Sequence, residues 1–471
     1  MKHASLILAS ISLLSVTGCS MAPTYHVPTT PAAQTFKAEP GWQVAVPADD
    51  VAKGQWWKLF HDPQLDALVE KVAITNQNVV YYRAAWEQAR ALVQQDRASL
   101  FPTISSSAST TRSGSFAGGT GGNVTSGATT SARVSSSYSA AVSGTWTPDL
   151  WGQLGNTLKQ AKAQAQASEA NLANATLSAQ GDLATDYMSL RGLDAQIAML
   201  DDTIKAYQRA LTITKNKYAS GTVSNADVYT AQTTLNNAQA SRRDLDRQRA
   251  TYENAIAVLI GENPSSFKIA PVAWAPTVPE VPSALPGDIL QRLPTIASAE
   301  RAVAAANANI GIQKAAFFPT ITLTGQAQTS GTELSNLFTA ASSLWSTGAS
   351  AALTLLDFGA RAAKVKGARA AYDETVATYR QAVLTAFQGV ENDLAAKTSY
   401  AEQQGQYDAA ADAAGKAEVI TRNEYLAGTV DYTTVTSAQA TAYSARVNQI
   451  QNTVNRQTTA IALIQAVGGH W

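Results

Sequence analysis

The sequence predicts an α+β membrane protein in which long antiparallel helical hairpins alternate with four β-strands, built as an internal two-fold repeat. Three observations carry this. A fifteen-residue stretch occurs twice, as YASGTVSNADVYTAQ from Tyr218 and YLAGTVDYTTVTSAQ from Tyr425. Proline-free runs lead into both copies and are too long for an ordinary globular helix. Between these runs lie segments that alternate apolar and polar residues with a period of two.

The offset between the two copies, 425 − 218 = 207, also relates Gly221 to Gly428, Thr222 to Thr429, Val223 to Val430 and Gln232 to Gln439. Each copy ends a helix on a glycine, which adopts the left-handed conformation without penalty, and opens the next helix with Ser224 or Asp431 as N-cap. Each is therefore read as a hairpin tip. FPTI occurs at Phe101–Ile104 and Phe318–Ile321, offset 217, while Asp149-Leu150-Trp151-Gly152 and Asp357-Phe358-Gly359 align their glycines at 207. The ten-residue difference falls in a Gly/Ser/Thr-rich insert, 113–131, which reads as a loop at the end of a strand hairpin.

In order along the chain, residues 1–18 read as a lipoprotein signal peptide: Lys2 and His3, an apolar stretch Leu6–Val16, then Val16-Thr17-Gly18-Cys19. Cys19 is the only cysteine, so an internal disulfide is impossible and lipidation of Cys19 is the expected modification. Ser20 follows it where an aspartate would mark inner-membrane retention, which favours the outer membrane. Residues 19–60 form the lipidated tether, proline-rich as far as position 47. A first repeat spans 61–261 with a β-hairpin at 101–148 and a helical hairpin at 152–261; a linker covers 262–293. A second repeat spans 294–467, with a β-hairpin at 317–357 and a helical hairpin at 359–467. In Trp56–Val72, Leu65, Leu68, Val69 and Val72 share a helix face, and Trp56 and Trp57 read as packing anchors.

The strand signal is clearest where Val134, Tyr138, Ala140, Val142, Gly144 and Trp146 alternate with serines and Thr145. It returns at Thr320–Ala327 and at Trp345–Leu355, the last with Leu353 apolar and Thr354 polar; Thr103–Arg112 is assigned through its FPTI partner. Such lengths, about ten residues, suit tilted outer-membrane strands. Four strands cannot close a barrel, and an open edge is not tolerated in lipid, so several subunits must contribute: two would give eight strands, three twelve. The run from Gly152 to Tyr218 would extend roughly 100 Å as a helix at ~1.5 Å per residue, packed against other helices.

Charge and composition exclude other classes. The formal charge is zero with 15% charged residues, leaving no basic surface for nucleic acid. The four histidines are scattered, with no metal-binding, nucleophile-elbow or cysteine-pair pattern, so neither an enzyme nor a cofactor is expected. Gly118, Gly119, Gly121 and Gly122 lie between strands and open no helix, unlike a nucleotide loop. A duct with a wet lumen and a non-conducting helical strut remain; alternating strands favour the duct, since a strut needs none.

WWxxFxDPxLxxL at Trp56–Leu68, FPTI twice, WTPDLWG at Trp146–Gly152, LDFGAR at Leu356–Arg361 and YxxGTV followed by AQ twice resemble, in this order, the TolC family of outer-membrane factors, in its OprM/NodT lipoprotein branch. The resemblance implies a homotrimer whose twelve-stranded barrel sits in outer-membrane lipid, above a twelve-helix periplasmic tunnel. It also implies docking to a periplasmic adaptor and a pump of the resistance-nodulation-division type, with the tips (Gly221, Thr222, Val223, Gly428, Thr429, Val430) receiving the adaptor. The implied function is efflux, with protein secretion or metal export as the alternative. At the periplasmic gate the resemblance places Asp227 and Tyr425 as a hydrogen-bonded pair, whereas the spacing of Ser224 and Asp227 equally suits a capping box. Thr434 and Ser437 stand where the family has gate aspartates, and Val430 where it has an arginine. Leu293-Pro294-Thr295 and Gln153 also depart from the family pattern.

Overall fold

A computed structural model describes residues 20–30, 54–114, 134–280 and 293–469. Cys19, the signal peptide and the glycine cluster 118–122 lie outside these residues. The helices are α1 (Pro63–Thr75), α2 (Gln77–Ala98), α3 (Gln153–Ala219), α4 (Asn225–Leu259), α5 (Pro294–Ala315), α6 (Ala360–Ala427) and α7 (Tyr432–Ala466). The strands are β1 (Thr103–Gly114), β2 (Val134–Trp146), β3 (Thr320–Gly331) and β4 (Ser343–Ala352). Two compact units gather these elements, each drawn from both halves of the sequence: one from within Met1–Val27, Gln88–Ala165 and Arg301–Val376, the other from within Pro28–Glu87, Gln166–Glu300 and Ala377–Trp471.

The first unit holds one antiparallel sheet, ordered β1-β2-β3-β4, so β1 and β4 are edges unpaired within the chain. Its registers include Thr103↔Thr145, Trp146↔Leu323 and Thr320↔Ala352. Because side chains alternate across a strand, this alignment puts Ile104, Val142, Trp146, Ile321, Leu323, Ala327, Trp345 and Ala349 on one face. The other carries Ser105, Ser109, Ser139, Ser143, Thr322, Thr324, Gln326 and Ser346, with serines paired across β1 and β2 at Ser105–Ser143 (2.9 Å), Ser109–Ser139 (2.8 Å) and Ser113–Ser135 (3.0 Å). β4 stops at Ala352, so Leu353 and Thr354, expected within the strand, follow it. The cause is local: Arg361 Nη2 donates to the Thr354 carbonyl at 2.5 Å and its Nε to Asp357 at 2.6 Å, turning the chain toward α6.

The same unit binds the residues that follow Cys19. Ser20 Oγ donates to Asn156 Oδ1 on α3 at 3.0 Å, and Asn307 of α5 donates to the Pro23 carbonyl at 2.9 Å. A Cβ at Gly311 would fall 2.7 Å from Ala22 Cβ and 2.5 Å from Asn156 Nδ2, so only glycine permits this approach. The start of the expected tether is thus seated on helices rather than free.

In the second unit Trp56, Phe60, Leu65, Val69 and Val72 are buried with Leu183, Tyr187 and Leu190 of α3, Ile256 of α4, Leu394 of α6 and Ile461 of α7. Trp56 and Trp57 meet edge-on at 5.8 Å, as anchors do. Asp62 caps α1 through the Gln64 and Leu65 amides and accepts from the Tyr187 hydroxyl at 2.7 Å. Below it Arg191 bonds Asp194 (3.0 Å), Gln64, Tyr187 and the Ala270 carbonyl, while Arg249 bonds Asp194 (2.6 Å) and the Ile269 carbonyl. The described part of the expected linker is therefore fastened: its prolines supply no amides, and Arg191 and Arg249 take its carbonyls.

Candidate gate at the hairpin tips

Both tips belong to the second unit and are built alike. At the first, Gly221 (φ +76°) donates to the Tyr218 carbonyl at 2.9 Å and Thr222 N to the Lys217 carbonyl at 2.9 Å, the paired bonds of a Schellman end. At the second, Gly428 (φ +82°) donates to Tyr425 at 3.1 Å and Thr429 N to Glu424 at 3.0 Å. Neither glycine has an atom within 4 Å of a would-be Cβ, so the requirement is the backbone angle, not space. Gly221, Thr222, Gly428 and Thr429 are exposed; Val223 and Val430 are half-buried, Val430 against the apolar cluster behind the tips.

The structure does not join Asp227 to Tyr425. Asp227 completes a capping box: its Oδ2 accepts from Ser224 N and Oγ, both at 2.9 Å, and its amide donates to Ser224 Oγ. Tyr425, 5% exposed, has its hydroxyl 3.0 Å from that of Thr214 on α3. Thr214 spends its single proton on the Ala210 carbonyl, so Tyr425 is the donor. Lys217 donates to the Tyr425 carbonyl at 2.8 Å, and its ammonium lies 4.2 Å from the centre of the same ring. Tyr425 also meets Tyr432 at 5.4 Å; the Tyr432 hydroxyl is buried without a partner, and burial pushes it up to about 12. Four contacts thus converge on one residue, and three of them, from Thr214 and Lys217, tie the α6 end to α3.

Thr434 donates its amide and hydroxyl to the Asp431 cap at 2.8 and 2.7 Å, and Ser437 is exposed one turn further on. Thr214, Lys217 and Tyr432 were not singled out from sequence. The repeat held the one available signal: Tyr425 and Tyr218 are equivalent, yet only Tyr425 is buried.

A family profile described as outer membrane efflux protein matches residues 68–262 and 285–469. The chain belongs to that family. This efflux protein is 30% identical over 472 residues to the solvent efflux pump outer membrane protein SrpC of Pseudomonas putida, across 98% of each chain. To the probable efflux pump outer membrane protein TtgC of Pseudomonas putida it is 29% identical over 471 residues, 99% of this chain and 96% of the relative. It matches the solved outer-membrane channel OprN with a TM-score of 0.83 and 27% identity, over 96% of this chain and all of the other. The efflux protein is an outer-membrane channel, the exit duct of a tripartite system that includes a periplasmic adaptor and an inner-membrane pump.

Proposed function

We propose that this efflux protein is a lipid-anchored homotrimer whose twelve strands close one barrel and whose helices form a periplasmic tunnel. The observation that carries the reading is the sheet itself: one face with most of the large apolar side chains, one face of hydroxyl and amide side chains, and two unpaired edges. Open edges in lipid leave backbone groups unsatisfied at several kcal/mol each, and pairing β4 of one copy with β1 of the next removes every edge. The repeat is supported by register, since 320 − 103 = 217 and 352 − 145 = 207 reproduce the two sequence offsets.

Lipidation at Cys19 would attach beside the seat that Asn156, Asn307 and Gly311 make for the following residues. The exposed tips, with Tyr218, Tyr229 and Leu426 around them, offer the adaptor an apolar surface. The gate is the Tyr425 cluster, which holds α6 to α3 when shut. Asp227 acts on it only through the shape of the tip. Solvents, as named for SrpC, and apolar antibiotics are the proposed cargo, driven by a pump of the resistance-nodulation-division type.

Three measurements test this. Detergent-extracted protein has the mass of three chains. Planar bilayers show small conductance steps that grow when the tip cluster is broken. Deletion of the gene sensitises cells to solvents. A single-chain mass, or no step from parent and tip variants alike, overturns the duct as drawn.

A further inference from the structure

Each strand hairpin is followed by a turn into a long helix, and only the first of these turns is covered. There Trp151, just before Gly152 (φ +74°), stacks on Phe318 with ring centres 4.8 Å apart and planes at 19°, and its Nε1 donates to the Pro319 carbonyl at 2.8 Å. Phe318-Pro319 leads into β3, the strand beside β2. At the second turn Phe358 stands just before Gly359 (φ +92°), and 359 − 152 = 207. Phe358 is 93% exposed, in the left-handed region at φ +50°, where an aromatic residue is strained. The counterpart of Phe318-Pro319 at offset 217 is Phe101-Pro102, leading into β1, and Phe101 is 62% exposed. β4 and β1 are opposite edges of the sheet.

The geometry points to an intersubunit contact in which Phe358 of one copy stacks on Phe101-Pro102 of the neighbouring copy, repeating between chains what Trp151 does within one. The contact rests on the trimeric barrel proposed above and deepens it, because it fixes the register of the joint. Carrying Trp146↔Leu323 through the two offsets (146 + 207 = 353; 323 − 217 = 106) sets Leu353 opposite Ser106 of the neighbouring copy, and hence Ala349 opposite Thr110. That register passes an independent check. Ala349 and Thr110 lie on the same face of the sheet as Leu323 and Trp146, whereas a shift of one residue would set side chains of opposite faces against each other. Phe358 lacks the indole N–H, so the carbonyl bond of the first turn is absent and ring contact alone joins the pair.

Replacing Phe358→p-benzoylphenylalanine keeps an aromatic ring and reports its neighbour. Illumination is expected to give covalent two- and three-chain species, with the adduct mapping to residues 98–104 of another copy. In a second arm, Ala349→Cys with Thr110→Cys forms an intermolecular disulfide, since facing strand residues lie at bridging distance. Each single variant, which retains only Cys19 besides, does not. A three-chain mass with photoadducts elsewhere or absent overturns the stacking and leaves the trimer standing; disulfides from Ala349→Cys with Arg112→Cys instead overturn the register. A one-chain mass sinks the trimer and this contact together.

Discussion

Lys217 holds Tyr425 at two points: its ammonium donates to the carbonyl at 2.8 Å and lies 4.2 Å from the ring centre of the same residue. One helix-end lysine thereby fixes both backbone and side chain of the tyrosine whose hydroxyl reaches Thr214. Tyr425→Phe removes that hydroxyl bond and leaves Thr214 bonded to Ala210. The loss is about 1 kcal/mol, enough for a roughly five-fold rise in the open population of a two-state tip. Lys217→Met acts in the same direction. Asp227→Ala breaks a cap and leaves the Tyr425 bonds in place, so it lowers stability by ~0.5–2 kcal/mol without that rise. Single-channel open probability and unfolding curves separate the two behaviours; equal gating effects from Asp227→Ala and Tyr425→Phe would sink the assignment.

Asp194 is the shared anion of two guanidiniums. Its side chain is 3% exposed and those of Arg191 and Arg249 are 7% and 14%. Asp194→Ala leaves two buried cations short of a partner and costs about 3–5 kcal/mol. It also frees the stretch around Ile269, so limited proteolysis should cut there before the helices melt. Lys205→Ala, which breaks the solvated pair with Asp202, is expected to leave the melting temperature unchanged.

Burial pushes Asp186 up to about 6, with Asp182 adding to it, and burial pushes Asp393 up to about 6 as well. A carboxyl whose folded value is raised binds more protons folded than unfolded, so its stability contribution falls as pH rises from about 4 to 6 and is flat above. Asp186→Asn or Asp393→Asn should therefore raise the melting temperature at pH 7.5, leave it unchanged at pH 4, and flatten the slope between. A steeper slope in either variant contradicts the assignment.

Val142 and Ser143 are neighbours on opposite faces of β2. With the apolar face toward lipid, Val142→Arg costs ~2–4 kcal/mol near the midplane. Heat-modifiable trimer in outer-membrane fractions should fall for Val142→Arg and persist for Ser143→Arg. Equal losses would reverse or erase the facing.

Much of this fold was legible because it is periodic. Alternation marked β2 and β3, proline-free stretches marked α3 and α6, and the tip glycines marked the helix ends to within about a residue. What escaped was set by long-range geometry. Ser/Thr-rich β1 was legible only through its FPTI partner, since its own residues alternate weakly, and β4 ends early because Arg361 claims the Thr354 carbonyl. Thr214 and Tyr425 are 211 residues apart, and neither type is rare. Asp227 was legible in both of its readings, and local capping prevailed because Ser224 is three residues away and needs no second helix to meet it.

The hydroxyl and amide face of the four strands contains no ionisable side chain; the single charge in the sheet, Arg112, lies on the opposite, apolar face. In the barrel proposed above that face would be the pore wall through the membrane. A wall of neutral dipoles neither gathers nor repels ions of one sign, so under a salt gradient the membrane-spanning part should give a reversal potential near zero. Along these strands cations, anions and neutral solutes then differ in passage by size and not by charge, so any charge selection by the duct falls outside the strands.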